Sequence, residues 1–257
     1  MSVDFEISGN LARVTINRPD SLNAVDTATH ARLGEIWTEI ETNPDIRCAV
    51  LTGAGSKAFC AGADLKENTG LSGVDYWKGI SGAGFPGIAL RQMSTPVIAR
   101  VNGLALGGGL EMVLGCDIVI AATTARFGLP EAKVGRVPLD GGMVLLPRLI
   151  PRNIALGMMM TGRLIDAEAL EPYGLLNSVV PPEDLDDEVD RWVQDLLACA
   201  PLSLKAIKAV SRQTAHLPLQ DAYQYPSEEL VAALLSEDAD EGPAAFREKR
   251  PPVWKGR

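Results

Sequence analysis

Apolar and polar positions alternate along residues 3–7 and 11–16 on either side of Gly9-Asn10, a pattern that predicts a β-hairpin. After a loop over residues 17–24, Asp26 stands where a helix cap belongs. Leu33, Ile36, Trp37 and Ile40 then recur at helical spacing, so a helix is expected to about Glu41. Residues 46–52 read as the next strand, closed by Gly53-Ala54-Gly55. Residues 59–66 read as a small-residue turn before a helix, and residues 68–87, rich in glycine and polar side chains, as a mobile flap. A β-branched run at 97–101 turns at Asn102-Gly103 and meets Gly107-Gly108-Gly109, after which Leu110 opens a buried helix; residues 118–122 are a further strand. Beyond Pro138 come apolar helices, whose Met158-Met159-Met160 reads as core packing, then a short helix at 166–170 and a strand at 175–180. Pro181-Pro182 opens an acid-headed helix, and from Pro201 the pattern is helical only. Strands and helices that alternate to about residue 180, followed by helices alone, predict an α/β core with a helical tail.

The glycine triplet carries the first chemical signal. Glycines between a strand and a helix let a ligand atom approach the main chain, and the free N–H groups of the helix's first turn can hold developing negative charge. Glu111 falls inside that turn between Leu110 and Met112-Val113-Leu114, and acids are seldom buried without a partner or a role. Farther on, Glu131 follows Pro130. A backbone anion pocket with two carboxylates points to chemistry beside a carbonyl, in which amides stabilise an oxyanion while carboxylates move protons at neighbouring carbons. The competing explanation is that the glycines only permit close packing and both glutamates are solvated; the apolar company of Glu111 weighs against it.

Composition narrows the alternatives. The 257 residues suffice for one large domain with a smaller appendage, and 46% hydrophobic with 22% charged residues describes a soluble globular protein. No apolar run is long enough to cross a bilayer, and the start MSVDFEISGN lacks the basic-then-apolar order of a signal peptide, so a cytoplasmic protein without a membrane partner is expected. A net charge of −9 argues against nucleic acid as a general partner. Cys48, Cys60, Cys116 and Cys199 show no CxxC spacing and read as buried thiols. His30 and His216 read as helical residues far from the glycines, which opposes a histidine triad or a histidine-rich metal site. Residues 82–87 fit GxGxxG, but no strand precedes them and Pro86 interrupts them; GxxxxGK[ST] is absent.

Asn102-Gly103-x-Ala105-x-Gly107-Gly108-Gly109-x-Glu111, then Cys116-Asp117-Ile118 and Phe127-Gly128-x-Pro130-Glu131, resembles the signature of the enoyl-CoA hydratase, or crotonase, superfamily. The resemblance extends from Asn17-Arg18-Pro19 through Leu51-Thr52-Gly53-Ala54-Gly55 and Ala61-Gly62-Ala63-Asp64-Leu65-Lys66 to Ser236-Glu237-Asp238-Ala239 and Glu248-Lys249-Arg250. It implies an α/β crotonase-like spiral of ββα repeats, residues 1–195, that holds CoA and the active site. Residues 196–257 become a C-terminal helical region for trimerisation and CoA closure, in a homotrimer or dimer of trimers. No internal sequence repeat announces the spiral.

The implied activity is that of an enoyl-CoA hydratase, adding water across the α,β double bond of a 2-enoyl-CoA thioester of the kind met in fatty acid metabolism. Amides at Ala63 and Gly108 form the oxyanion hole, Glu111 serves the water and Glu131 the α-carbon. Leu22, Ala24, Ala61, Asp64, Leu65, Lys66 and Lys249 are the implied CoA contacts, and residues 68–87 cover the acyl end. No cofactor beyond the substrate's CoA and no metal is implied. Within the same fold, Leu129-Pro130-Glu131-Ala132-Lys133, Gly135, Val137-Pro138 and the tail 236–257 also resemble carnitinyl-CoA dehydratases. A non-catalytic acyl-CoA-binding protein is the third alternative, and it would be marked by loss of a glutamate or the glycines.

Two features depart from or add to the pattern. Leu139-Asp140 stands where small residues are common, so Asp140 is either a third acid or a loop residue bonded to its own backbone. Residues 247–257 carry Arg247, Lys249, Arg250, Lys255 and Arg257 against Glu248 alone. With Phe246, Val253 and Trp254 interspersed, this tail is expected to dock on an apolar surface; the resemblance lays it across a neighbouring subunit, with Lys249 beside Lys66 at the CoA phosphates.

Overall fold

In the computed structural model, residues 2–67, 72–79 and 84–257 are described. The first two strands, β1 (Val3–Ser8) and β2 (Leu11–Ile16), form the expected hairpin, with Val3 opposite Ile16 and Ser8 opposite Leu11. Helix α1 (Thr27–Thr42) is capped by Asp26, whose side chain accepts from the Thr29 N–H at 2.8 Å, and Leu33, Ile36, Trp37 and Ile40 are all fully buried as their spacing predicts.

Three times in succession the chain then sends a longer strand into a large sheet and a three-residue strand into a small one. The pairs are β3 (Cys48–Gly53) with β4 (Ala58–Cys60), followed by helix α2 (Gly73–Gly79); β5 (Val97–Val101) with β6 (Leu104–Leu106), followed by α3 (Gly108–Gly115); and β7 (Ile118–Ala122) with β8 (Arg126–Gly128), followed by a 3-10 stretch at Pro130–Val134 and α4 (Gly142–Leu149). That succession is the ββα spiral. After α5 (Arg152–Thr161), strand β9 (Ile165–Asp166) joins β8, and α6 (Ala167–Leu170) leads to β10 (Ser178–Val180), which joins β7 before α7 (Leu185–Leu197). The large sheet runs β1-β2-β3-β5-β7-β10, parallel from β2 onward, and the small one β4-β6-β8-β9. Asn102 joins two of the repeats: its Nδ2 donates to the carbonyls of Gly53 (2.9 Å) and Gly55 (2.7 Å).

Parallel strands buried on both faces are apolar nearly throughout. Val14, Ile16, Leu51 and Ala99 pack with α1 and α3 on one side, while Cys48, Val50, Ile98 and Ile120 meet Leu185, Val189 and Val193 of α7 on the other. The helical tail comprises α8 (Pro201–Gln213), α9 (Leu219–Tyr223), α10 (Glu228–Leu234) and α11 (Glu237–Glu248). Lys208 bolts α8 to the core, its Nζ 2.6 Å from Asp117 Oδ2 and 2.8 Å from the Thr95 carbonyl. No described helix is long and apolar enough to cross a membrane.

Several local expectations change. Residues 64–67 form a turn rather than the start of a helix. The expected flap contains α2, while 68–71 and 80–83 lie outside the described residues, and with them the first part of the GxGxxG match. Cys199 is exposed, unlike Cys48 and Cys60, and His216 sits in the turn after α8. Within the chain the tail is held largely by polar groups, with the Trp254 ring half-buried against Gly242. Arg250 pairs with Glu241 and Glu248, Lys255 and Arg257 pair with Glu237, and Asp238 accepts from the N–H groups of Lys255 and Gly256. Trp254 donates its Nε1–H to the Ala198 carbonyl at 2.7 Å, while Phe246 and Val253 stay exposed.

Candidate active site

Between β6 and α3 a single residue, Gly107, reverses the chain, at φ +56° and ψ −128°. Side chains rarely tolerate this conformation, and a Cβ there would stand 3.0 Å from Glu131 Oε1. A Cβ on Gly108 would meet the Phe85 ring at 2.5 Å, and one on Gly109 the Cys60 carbonyl oxygen at 2.1 Å. The triplet therefore admits a carboxylate, an aromatic ring and strand β4 to the same few backbone atoms. Gly62 packs from the opposite side, where a Cβ would come within 3.2 Å of the Gly108 nitrogen.

That contact brings Ala63 alongside. Ala63 pairs with Val25 in a parallel bridge in which Val25 N–H donates to Gly62 O and Asp64 N–H to Val25 O, both at 2.9 Å. This pattern leaves the Ala63 N–H out, and the Gly108 N–H is the first of its helix; among the described residues neither donates to a protein acceptor. Two such donors next to a bare backbone fit an oxyanion.

Glu111 is only 3% exposed, and its Oε1 accepts from the Gly142 N–H at 2.9 Å. Burial pushes its pKa up to about 8, with the negative charges of Asp140 and Glu131 adding to the shift and the Gly142 hydrogen bond opposing it. Glu131 lies in the first turn of the 3-10 stretch, and its pKa is also raised by burial. Its Oε2 is buried and has no hydrogen-bond partner among the described residues, which is rare for a carboxylate oxygen. Two interacting carboxyl groups of this kind titrate as a pair and share protons. The arrangement can polarise a carbonyl and move a proton at the atoms next to it.

Residues 6–257 match the family Enoyl-CoA hydratase/isomerase. The chain is 41% identical to the carnitinyl-CoA dehydratases of Citrobacter koseri and Shigella flexneri, covering 100% of this chain and 99% of each relative. Its fold superposes on the enoyl-CoA hydratase of Bacillus anthracis with a TM-score of 0.92 at 33% identity, covering both chains fully, and on that of Mycobacterium tuberculosis H37Rv with 0.90 at 33%. The chain belongs to the enoyl-CoA hydratase/isomerase family.

As a member of the enoyl-CoA hydratase/isomerase family, the chain brings most of its expected CoA contacts to one rim. Ala61 N–H donates to the Leu22 carbonyl at 3.1 Å, and Leu22 and Leu65 expose apolar side chains there, with Lys66 exposed beside them. Two of the expected contacts are also tied to Arg18. Ala24 is buried and its carbonyl accepts from Arg18, and the Asp64 carboxylate is held by Arg18 (3.1 Å) and the Lys66 N–H (3.2 Å). Lys249 caps α11 at φ +54°, and among the described residues no hydrogen bond or ion pair joins residues 236–257 to the 61–66 loop within one chain.

Two other expectations are corrected. Asp140 does not bond to its own backbone: its Oδ1 accepts from the Phe85 N–H (2.9 Å) and its Oδ2 from the Tyr76 hydroxyl (2.8 Å). His30 is not remote, because its ring lies edge-on to Phe85 with centroids 6.0 Å apart, and Phe85 covers Gly108. Burial lowers the His30 pKa, with the charge of Asp140 opposing. Arg18, Tyr76, Phe85 and Gly142 add to the expected site residues; Tyr76 and Phe85 fall in the stretch 68–87 expected over the acyl end, without an individual role. Arg18 had a signal as the centre of Asn17-Arg18-Pro19, but that motif alone does not disclose two acidic partners 8 and 46 residues away.

Proposed function

We propose that the protein is an enoyl-CoA hydratase, a hydro-lyase that adds water across the α,β double bond of a 2-enoyl-CoA thioester. The observation that carries this reading is the buried, unpartnered Oε2 of Glu131 beside the glycine backbone, with a second buried glutamate, Glu111, in the first turn of the helix that Gly108 opens. The thioester oxygen accepts from the Ala63 and Gly108 N–H groups, which hold the enolate charge as it forms. Removing one such donor typically costs about 3 kcal/mol in an enzyme. Water bound between the glutamates attacks the β-carbon, giving its proton to one carboxylate while the other carboxyl protonates the α-carbon. The expected division, Glu111 to the water and Glu131 to the α-carbon, requires the shared proton on Glu131. Burial raises the pKa of both acids, so the pair can hold that proton between them.

Leu22, Ala61, Leu65 and Lys66 line the CoA approach, Ala24 and Asp64 shape it through Arg18, and Lys249 reaches the phosphates from a neighbouring subunit of a trimer or dimer of trimers. Tyr223, Leu235 and Phe246, more than 80% exposed on the helical tail, support such an assembly. The enzyme works in the cytoplasm and needs no cofactor besides the CoA of its substrate.

Relatives at 41% identity over the whole chain favour carnitinyl-CoA dehydratase as the second reading, in which the same acids act on a carnitinyl thioester. A non-catalytic acyl-CoA carrier is disfavoured because both glutamates and all three glycines are kept. A panel of 2-enoyl-CoA chain lengths with crotonobetainyl-CoA tests these alternatives: preference for straight-chain enoyl thioesters supports the first, preference for crotonobetainyl-CoA the second, and binding without turnover the third.

A further inference from the structure

Asp140 begins a three-residue stretch that touches three parts of the site. Its side chain is 6% exposed and accepts from Tyr76, on α2, and from the Phe85 N–H, whose ring covers Gly108. Two residues on, the Gly142 N–H holds Glu111 Oε1 at 2.9 Å. Gly141 between them takes φ +118°, outside the range of ordinary side chains, and so sets the angle between the two attachments.

We propose that Asp140 is a positioning residue, not a third proton-transfer group: it fixes Tyr76 and Phe85 on the acyl side of Gly108 and holds the Gly142 amide on Glu111. Both of its oxygens already accept from fixed donors. Its links to Glu111 are the backbone of residues 140–142 and its charge. The titratable groups facing this pair are Glu131, Tyr76 and His30, of which Glu131 shares with Asp140 the effect of raising the Glu111 pKa. The inference rests on the hydratase reading only in naming Glu111 as a reacting group.

Asp140→Asn, Asp140→Ala and Tyr76→Phe separate the possibilities through two readouts on the full-length protein. The first is amide hydrogen exchange without substrate. Asp140→Ala and Tyr76→Phe are expected to speed exchange about tenfold in peptides covering 72–79 and 84–90, the effect of losing one hydrogen bond, and to leave α1 unchanged. Asp140→Asn, which keeps an acceptor for Phe85, stays near wild type. The second is the pH dependence of crotonyl-CoA hydration, where Asp140→Asn is expected to keep turnover within about tenfold and to move the limb titrated by Glu111 to lower pH. A loss of about a hundredfold or more in Asp140→Asn makes Asp140 a proton-transfer group and overturns the proposal. Unchanged exchange in both Asp140→Ala and Tyr76→Phe also overturns it. If the wild-type protein hydrates no enoyl-CoA, the functional reading fails, while the exchange readout still decides whether Asp140 holds Tyr76 and Phe85.

Discussion

Arg18 lies 3.1 Å from Asp64 and 2.9 Å from Asp26, so one guanidinium ties the loop carrying Ala63, the proposed oxyanion donor, to the cap of α1. Both acids have lowered pKa values, Asp26 chiefly through its hydrogen bond with Thr29 and Asp64 chiefly through the Lys66 N–H, with Arg18 contributing to each. Arg18→Met should therefore raise KM for acyl-CoA and lower kcat together, whereas Arg18→Lys, which keeps the charge but loses the fork, should fall between. Steady-state kinetics of the two variants check this; wild-type parameters in Arg18→Met refute a positioning role.

Gly109 has no room for a methyl group, because the Cys60 carbonyl oxygen would lie 2.1 Å from it. Gly109→Ala is expected to cost about 1–3 kcal/mol of stability, as overpacking does. At Gly108 the obstacle is the Phe85 ring, whose movement can relieve the clash, so Gly108→Ala should lower turnover more than it lowers the urea midpoint. Denaturation and kinetics on the same two preparations compare the sites.

Burial of Glu111 has a pH signature. Its pKa rises from an ordinary 4.5 to about 8 on folding, so the folded state binds the proton more tightly between those values. Stability conferred by that proton is full below about pH 4.5 and is lost as pH rises through about 8. Glu111→Gln removes this loss, so its melting temperature should exceed that of wild type at pH 8 and converge on it near pH 4.5. Paired thermal melts across this range measure the difference; parallel curves mean that Glu111 titrates normally.

The main elements of the fold were legible because their signals are long. The hairpin over 3–16, α1 with its Asp26 cap, and the runs at 97–101 and 118–122 all persist for enough residues to show a period. Strands β4, β6 and β8 span three residues each and are fixed by pairing with one another, so no local pattern revealed them. The chemistry was legible where it is local, as in Gly107 to Glu111. It was hidden where it depends on groups distant in sequence: Asp140 meets Tyr76 and Phe85 64 and 55 residues away, and the polar docking of the tail needs Glu237, Asp238 and Glu241 to face it.

The most direct test follows the conjugated-enoyl absorbance of crotonyl-CoA with wild-type protein, Glu111→Gln and Glu131→Gln at equal concentration. Absorbance is expected to fall with wild type, and each variant should be slower by about a hundredfold or more, as loss of an acid or base requires. Undiminished rates in both variants, or no loss of absorbance with wild type on crotonyl-CoA or any longer enoyl-CoA, would contradict hydration by the Glu111–Glu131 pair.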